Sequence, residues 1–253
     1  MPDQIRVGLF VTCLVDTMRP QIGWAALRLL ERAGCTVEVP RAQTCCGQPA
    51  GNSGDADSAE KLARQVIEHF EAYDYLVAPS GSCVGQIRSY PGLMRNADWR
   101  RRAEALAAKS HEILGFLSDV MGWQPEGIRL DASATYHDSC SGLRELGIEA
   151  QPRALLAAVD GLEMRPLQGA NVCCGFGGTF CVKYPDISTA IVSEKTANIT
   201  ATGADLLLAG DLGCLMNMAG RLNREGATTR CFHTIEVLAG MADGPAIGEG
   251  ETP

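Results

Sequence analysis

Two spacings of apolar residues alternate along the chain. Ile5 to Val11 is a short, largely apolar run of the kind that forms a strand covered on both faces. Gln21 to Ala33 follows with Ile22, Ala25, Ala26, Leu29 and Leu30 at helical spacing, and Gly34 stands where a helix would stop. Cys35 to Val39 predicts a second strand, ended by Pro40. Asp55 to Tyr73 predicts an amphipathic helix capped by Asp55 or Ser58, and Tyr75 to Ala78 a third strand ended by Pro79. The order then returns: strand Ala134 to His137, helix Pro152 to Val159, strand Glu163 to Leu167, helix Asp186 to Ala201, strand Leu206 to Ala209. A helix from Asp98 to Met121 is expected to join the halves, with Arg100, Arg101 and Arg102 on a solvated face. Strands alternating with helices predict an α/β fold with parallel sheets. The expected architecture is two pseudo-repeated β-α-β-α-β units, residues 1–125 and 126–253.

The repeat is sharpest in the cysteines. The chain has 11 of them. The first half reads Cys13, Cys45-Cys46-Gly47, Cys83, and the second Cys140, Cys173-Cys174-Gly175, Cys214. The spacings are 32, 1 and 37 in one half and 33, 1 and 40 in the other. Asp74 and Asp205 each precede the last of these thiols by nine residues. Burial alone demands no spacing, so the matched eight carry chemistry. Cys35 and Cys231 fall outside the repeat and are expected to be small buried side chains. Cys181, in the Gly-rich segment after Cys174, also falls outside it, and ligation is the lesser reading there.

Each matched thiol lies just beyond a predicted strand. Parallel strands present their carboxyl ends at one edge, where open α/β sheets bind ligands. Four thiols should therefore gather around one point in each unit. Four thiolates suit an iron–sulfur cluster or a structural zinc. Zinc sites favour close C-x₂-C pairs, and this chain has none. Gly47 and Gly175 are expected to free the backbone so that both neighbouring thiols turn to one cluster, with Gly177 and Gly178 in support. His137, three residues before Cys140, is within reach of the second site, with a structural hydrogen bond favoured over ligation or proton transfer. Lys183 and Tyr184 follow the Gly-rich loop, and His137 and Lys183 are the acid–base candidates. His69 and His111 are expected on helices at the surface or its boundary, and His233 at the start of the last helix.

Composition narrows the classes further. Net charge is −8, which argues against a nucleic-acid surface. The longest uncharged stretch, Pro166 to Val182, is Gly-rich, so no transmembrane segment is expected, and Met1 to Arg6 lacks the apolar core of a signal peptide. A cytoplasmic location with reduced thiols follows as the expectation. G-x-x-x-x-G-K-[ST], G-x-G-x-x-G, H-E-x-x-H and G-x-S-x-G are all missing. A thiol-redox enzyme and a zinc-bearing scaffold remain as alternatives to a two-cluster electron carrier.

The two Cys…Cys-Cys-Gly…Cys arrays resemble the cysteine-rich "CCG" domain family. That family includes the B-type component of heterodisulfide reductase, the glycolate oxidase iron–sulfur subunit and the lactate utilisation protein A group. Pro79-Ser80-Gly81-Ser82-Cys83, Tyr136-His137-Asp138-Ser139-Cys140, Cys173-Cys174-Gly175-Phe176-Gly177-Gly178 and Gly210-Asp211-Leu212-Gly213-Cys214 are similar to the last of these. The resemblance implies two clusters of [4Fe–4S] type in a cytoplasmic, non-autonomous electron-transfer subunit of an L-lactate-oxidising complex. It implies a second iron–sulfur subunit and a third small subunit as partners. It also leaves a heterodisulfide-type thiol redox role or glycolate-type 2-hydroxy acid oxidation as alternatives. Gln86 and Asn217 stand where heterodisulfide reductase members place a fifth thiol, which counts against that chemistry.

Overall fold

The computed structural model describes residues 4–250, so residues 1–3 and 251–253 of the expected units lie outside the described residues. The chain divides between Trp123 and Gln124 into two compact units. Each contains one four-stranded, wholly parallel sheet.

In the first unit the strands are β1 (Arg6–Leu9), β2 (Thr36–Glu38), β3 (Tyr75–Ala78) and β4 (Ser110–Glu112), in the order β2-β1-β3-β4. The register pairs Val7 with Val37, Gly8 with Leu76 and Val77 with His111. Val7, Leu76 and Val77 are fully buried, so the central strands are covered on both faces, as their unbroken apolar runs require. The helix Pro20–Arg32 contributes Ile22, Ala25, Ala26, Leu29 and Leu30 to this core, and Ala56–Phe70 contributes Ala63, Val66, Ile67 and Phe70. The Asp55 side chain accepts from the Ser58 N–H at 3.0 Å and starts the latter helix. Gly8 admits a close approach: a Cβ there would meet the Tyr73 ring at 2.6 Å.

The second unit repeats the plan with β5 (Arg129–His137), β6 (Asp160–Arg165), β7 (Leu206–Ala209) and β8 (Arg230–His233), ordered β6-β5-β7-β8. Leu206 to Ala209 are all buried, and the helices Ala150–Ala157, Pro185–Ala201 and Leu212–Arg224 accompany the sheet.

Four expectations are corrected. Each unit has a fourth strand that the apolar pattern did not announce. The helix expected from Asp98 to Met121 ends at Ala108, β4 follows, and the chain resumes in short helical turns from Ile113 to Val120. His111 thus lies on a strand, half-buried, its ring 5.5 Å from that of Tyr75 and 5.9 Å from that of Phe116. Of the arginine run, Arg100 and Arg101 are exposed, but Arg102 forms a two-pronged pair with Glu71 and lies 4.0 Å from the Trp99 ring centroid. His233 does start a helix, Thr234–Leu238, through a reciprocal cap with Glu236. Among the described residues no helix is long and apolar enough to cross a membrane.

Candidate metal centre

Both sheets reverse strand order at their middle, between β1 and β3 and between β5 and β7. In an open parallel sheet that reversal leaves a crevice outside the carboxyl ends. The matched thiols lie there. Cys13 follows β1 and opens the helix Cys13–Met18, and Cys140 follows β5 and opens Cys140–Leu146. Cys83 and Cys214 stand third in the helices Gly81–Arg88 and Leu212–Arg224, which follow β3 and β7. The adjacent pairs Cys45-Cys46 and Cys173-Cys174 come from the loops after β2 and β6.

Each helix start is held by a side chain beside its thiol. Thr12, Ser80, Ser139 and Asp211 accept backbone N–H groups in the following first turn, Ser80 that of Cys83 itself at 3.3 Å. Thr12 adopts φ 76°, in the left-handed region that a β-branched residue rarely enters. The chain is strained immediately before Cys13.

The sulfurs converge. Cys13 Sγ lies 3.9 Å from Cys45 Sγ. The thiols of Cys13 and Cys46, with the Gly47 N–H at 3.4 Å, hold Cys45 down to about 2. Cys13 and Cys46 are pushed well up, Cys13 chiefly by Cys45 and Cys46 by Cys45 and then Cys83. The second unit repeats this. Cys140 and Cys174, with the Gly175 N–H at 3.3 Å, hold Cys173 down to about 2. Cys140 and Cys174 are pushed up, chiefly by Cys173. Neighbouring thiols raise the cost of a second negative charge in the absence of a cation, and a cation bound among them removes that cost. That donor set, soft thiols gathered at a crevice with none of them in a disulfide, suits iron–sulfur or a thiophilic metal.

Gly47 and Gly175 adopt φ +85° and +83°, which orients both neighbouring thiols inward. A Cβ on Gly175 would meet the Ser188 carbonyl at 2.8 Å. Side chains from beyond the last thiol fix the carbonyl of each Cys-Cys-Gly turn: Tyr90 Oη donates to Cys46 O at 2.7 Å, and Asn217 Nδ2 to Cys174 O at 2.8 Å. Asn217, which stands where a fifth thiol would be, is thus engaged in holding the loop. Neither it nor Tyr90 was legible as a site residue.

The second site has further polar company. A ring nitrogen of His137 and the sulfurs of Cys174 and Cys214 lie within 4.8 Å of one another. Burial, with the nearby Lys195 ammonium, keeps His137 neutral, down to about 4. Lys195 is 1 % exposed and donates to the Gly169 and Ala170 carbonyls. Burial lowers it, while the charges of Cys174, Asp138, Cys173 and Cys214 oppose the fall. Sequence reading passed over Lys195, although a lysine on the helical stripe Val192, Thr196, Ile199, buried in the structure, was its signal. Lys183 is exposed at the end of the short helix Phe180–Lys183, and Tyr184 is exposed after it. Cys35 and Cys231 are buried, and burial pushes Cys231 up to about 12. Cys181 is half-buried, and its thiol donates to Gly178 O at 3.4 Å.

Beside the first site a groove of about 450 Å³ is lined by Cys13, Cys45, Thr12, Asp16, Val39 and Arg41, among others.

Residues 7–88 and 134–219 each match the model of the cysteine-rich domain, CCG. The chain is similar to the lactate utilization protein A of Exiguobacterium sp., at 51% identity over 92% of this chain and 96% of that one. To that of Anoxybacillus flavithermus it is 46% identical over 92% and 99%. Among solved structures, a hypothetical protein from Helicobacter pylori shares the fold, with TM-score 0.70 at 11% identity over 99% of this chain. This chain spans half the length of that protein, 50%.

Proposed function

The chain belongs to the cysteine-rich CCG domain family and to the lactate utilization protein A group within it, and from that premise we propose that it is the iron–sulfur electron-transfer subunit of a complex oxidising L-lactate to pyruvate. The observation that carries this reading is the duplication of four convergent thiols at the switch point of each sheet. The proposed ligands are Cys13, Cys45, Cys46 and Cys83 in residues 1–125, and Cys140, Cys173, Cys174 and Cys214 in residues 126–253. Each set holds one [4Fe–4S] cluster, which when bound passes electrons singly.

The chain's own residues prepare the sites. Gly47 and Gly175 turn both thiols of each pair to one point and donate an N–H to the first sulfur. Tyr90 and Asn217 fix the loop that carries them. Burial of Cys46, Cys174 and Cys214 excludes water from the inner side. Oxidising a 2-hydroxy acid removes two electrons and two protons, chemistry suited to a flavin or nicotinamide. No fingerprint for either stands in this sequence, so the reading places the chain in a cytoplasmic complex with a second iron–sulfur subunit and a third small subunit.

The test compares the isolated, cluster-loaded protein with the protein plus these two subunits. L-lactate oxidation is expected only in the mixture, and its loss with Cys83→Ser or Cys214→Ser. Steady turnover of L-lactate by this chain alone would overturn the subunit reading.

A further inference from the structure

The two thiol sites are built on one plan and differ at two buried positions. His137 stands three residues before Cys140, and its counterpart three residues before Cys13 is Phe10. Both are fully buried. The second difference lies on the helix behind the Cys-Cys-Gly turn. Gly47 packs against Ala59 and Leu62, and Gly175 against Ser188 and Ile191, which sets the two helices in register. Seven residues beyond Ala59 and Ser188 stand Val66 and Lys195, each 1 % exposed. The first site is thus backed by two apolar side chains where the second has an imidazole and an ammonium.

The hydrogen bonds around His137 fix which nitrogen is available. Its Nδ1 lies 3.1 Å from Ala170 O, and a carbonyl only accepts, so Nδ1 carries the proton. Ala170 O is itself pinned, accepting from Lys195 Nζ at 3.3 Å and from the Asp138 N–H at 3.1 Å. The ring therefore has one tautomer and one orientation. Nε2 is left with a lone pair, buried, and with no hydrogen-bond partner. An orphaned acceptor in such a place is unfavourable unless something fills its lone pair. The same ring stands within 4.8 Å of the Cys174 and Cys214 sulfurs. A carbonyl that holds Nδ1–H leaves Nε2 as the nitrogen open to a metal, and a carbonyl in that role is the usual outer support of a metal-bound histidine.

We propose that His137 Nε2 is a metal ligand of the second site, taking one terminal position in place of one of the four thiolates, so that this site has a nitrogen donor that the first site lacks. This rests on the reading of the two thiol sets as metal sites, and adds that they are chemically unequal. Phe10 gives the first site no such donor, so nitrogen ligation is confined to the second unit.

The test uses cluster-bearing protein prepared with ¹⁵N-labelled histidine, reduced with dithionite and examined by pulsed EPR. The expected result is the hyperfine coupling of a directly bonded nitrogen, which changes between ¹⁴N and ¹⁵N samples. It should persist in Cys83→Ser, which lacks the first site, and be lost in His137→Phe, which gives the second site the residue of the first. Both clusters present and reduced without that coupling would overturn the assignment. If His137→Phe does not fold, the ¹⁴N and ¹⁵N spectra of the Cys83→Ser protein decide the matter by themselves. A protein without acid-labile sulfide would end the electron-transfer reading, and the ligand is then decided with cobalt(II) bound to the same chain. A paramagnetically shifted, solvent-exchangeable Nδ1–H resonance that disappears in His137→Phe supports the assignment, and its absence from the wild-type spectrum overturns it.

Discussion

At the scale of single residues, the two glycines after the thiol pairs set the turns that carry them. Gly47 and Gly175 share a left-handed backbone, but their surroundings differ. A methyl at Gly175 would press on a backbone carbonyl at 2.8 Å, whereas at Gly47 the nearest atom is the Leu62 Cβ at 3.4 Å. Gly175→Ala is expected to destabilise the second unit by more than Gly47→Ala destabilises the first, each by about 1–3 kcal/mol, as chemical denaturation would measure. Equal effects, or none, would show that the turns yield. The thiols themselves were legible because their spacing repeats, and repeated spacing is a signal that plain burial does not produce. The roles of Lys195, Tyr90 and Asn217 were not, because each acts through a contact to a backbone carbonyl, and the sequence does not show which carbonyl a side chain reaches.

Among the elements, the central strands, the edge strands β2 and β6 and the long helices were legible from apolar spacing, and the edge strands β4 and β8 were not. The reason at β4 is specific. Ala103, Leu106, Ile113, Leu114 and Leu117 are buried at intervals that suit one continuous helix, so the pattern runs straight through Ser110-His111-Glu112. Three polar residues at an edge carry no strand signature of their own. The tertiary pairing of Leu76 to Ala78 with this segment decides it. β4 has a consequence in acid. Burial, and then the Arg88 guanidinium, hold His111 below the ordinary 6.5, while Asp119 opposes this. Below 6.5 the unfolded chain takes up a proton that the folded strand resists, so this contribution is full above 6.5 and declines as the pH falls towards the folded value. Replacing His111 by Phe keeps a ring against Tyr75 and Phe116 and removes the titration. Denaturation at a series of pH values should show a flatter acid decline in His111→Phe than in wild type. Parallel declines would mean that His111 protonates as freely in the folded protein as in the unfolded one.

On the scale of the whole molecule, the chain is two units of one design, each with its own sheet, its own switch point and its own four thiols. The α/β class and the duplication were legible in the sequence. The chemical inequality of the halves was not, since Phe10 against His137 and Val66 against Lys195 acquire meaning only once strands and helices are superposed in register. Separate thiol sets predict separate occupancy. The most direct measurement is therefore iron and acid-labile sulfide per chain in anaerobically prepared protein, taken together with its single-site variants. Wild type should contain roughly eight of each, and Cys83→Ser and Cys214→Ser about four each, with visible absorption bleached by dithionite in all three. Cys35→Ser, outside both thiol sets, should keep the wild-type content. Stoichiometric zinc without sulfide, or loss of all iron on replacing Cys83 alone, would contradict the account.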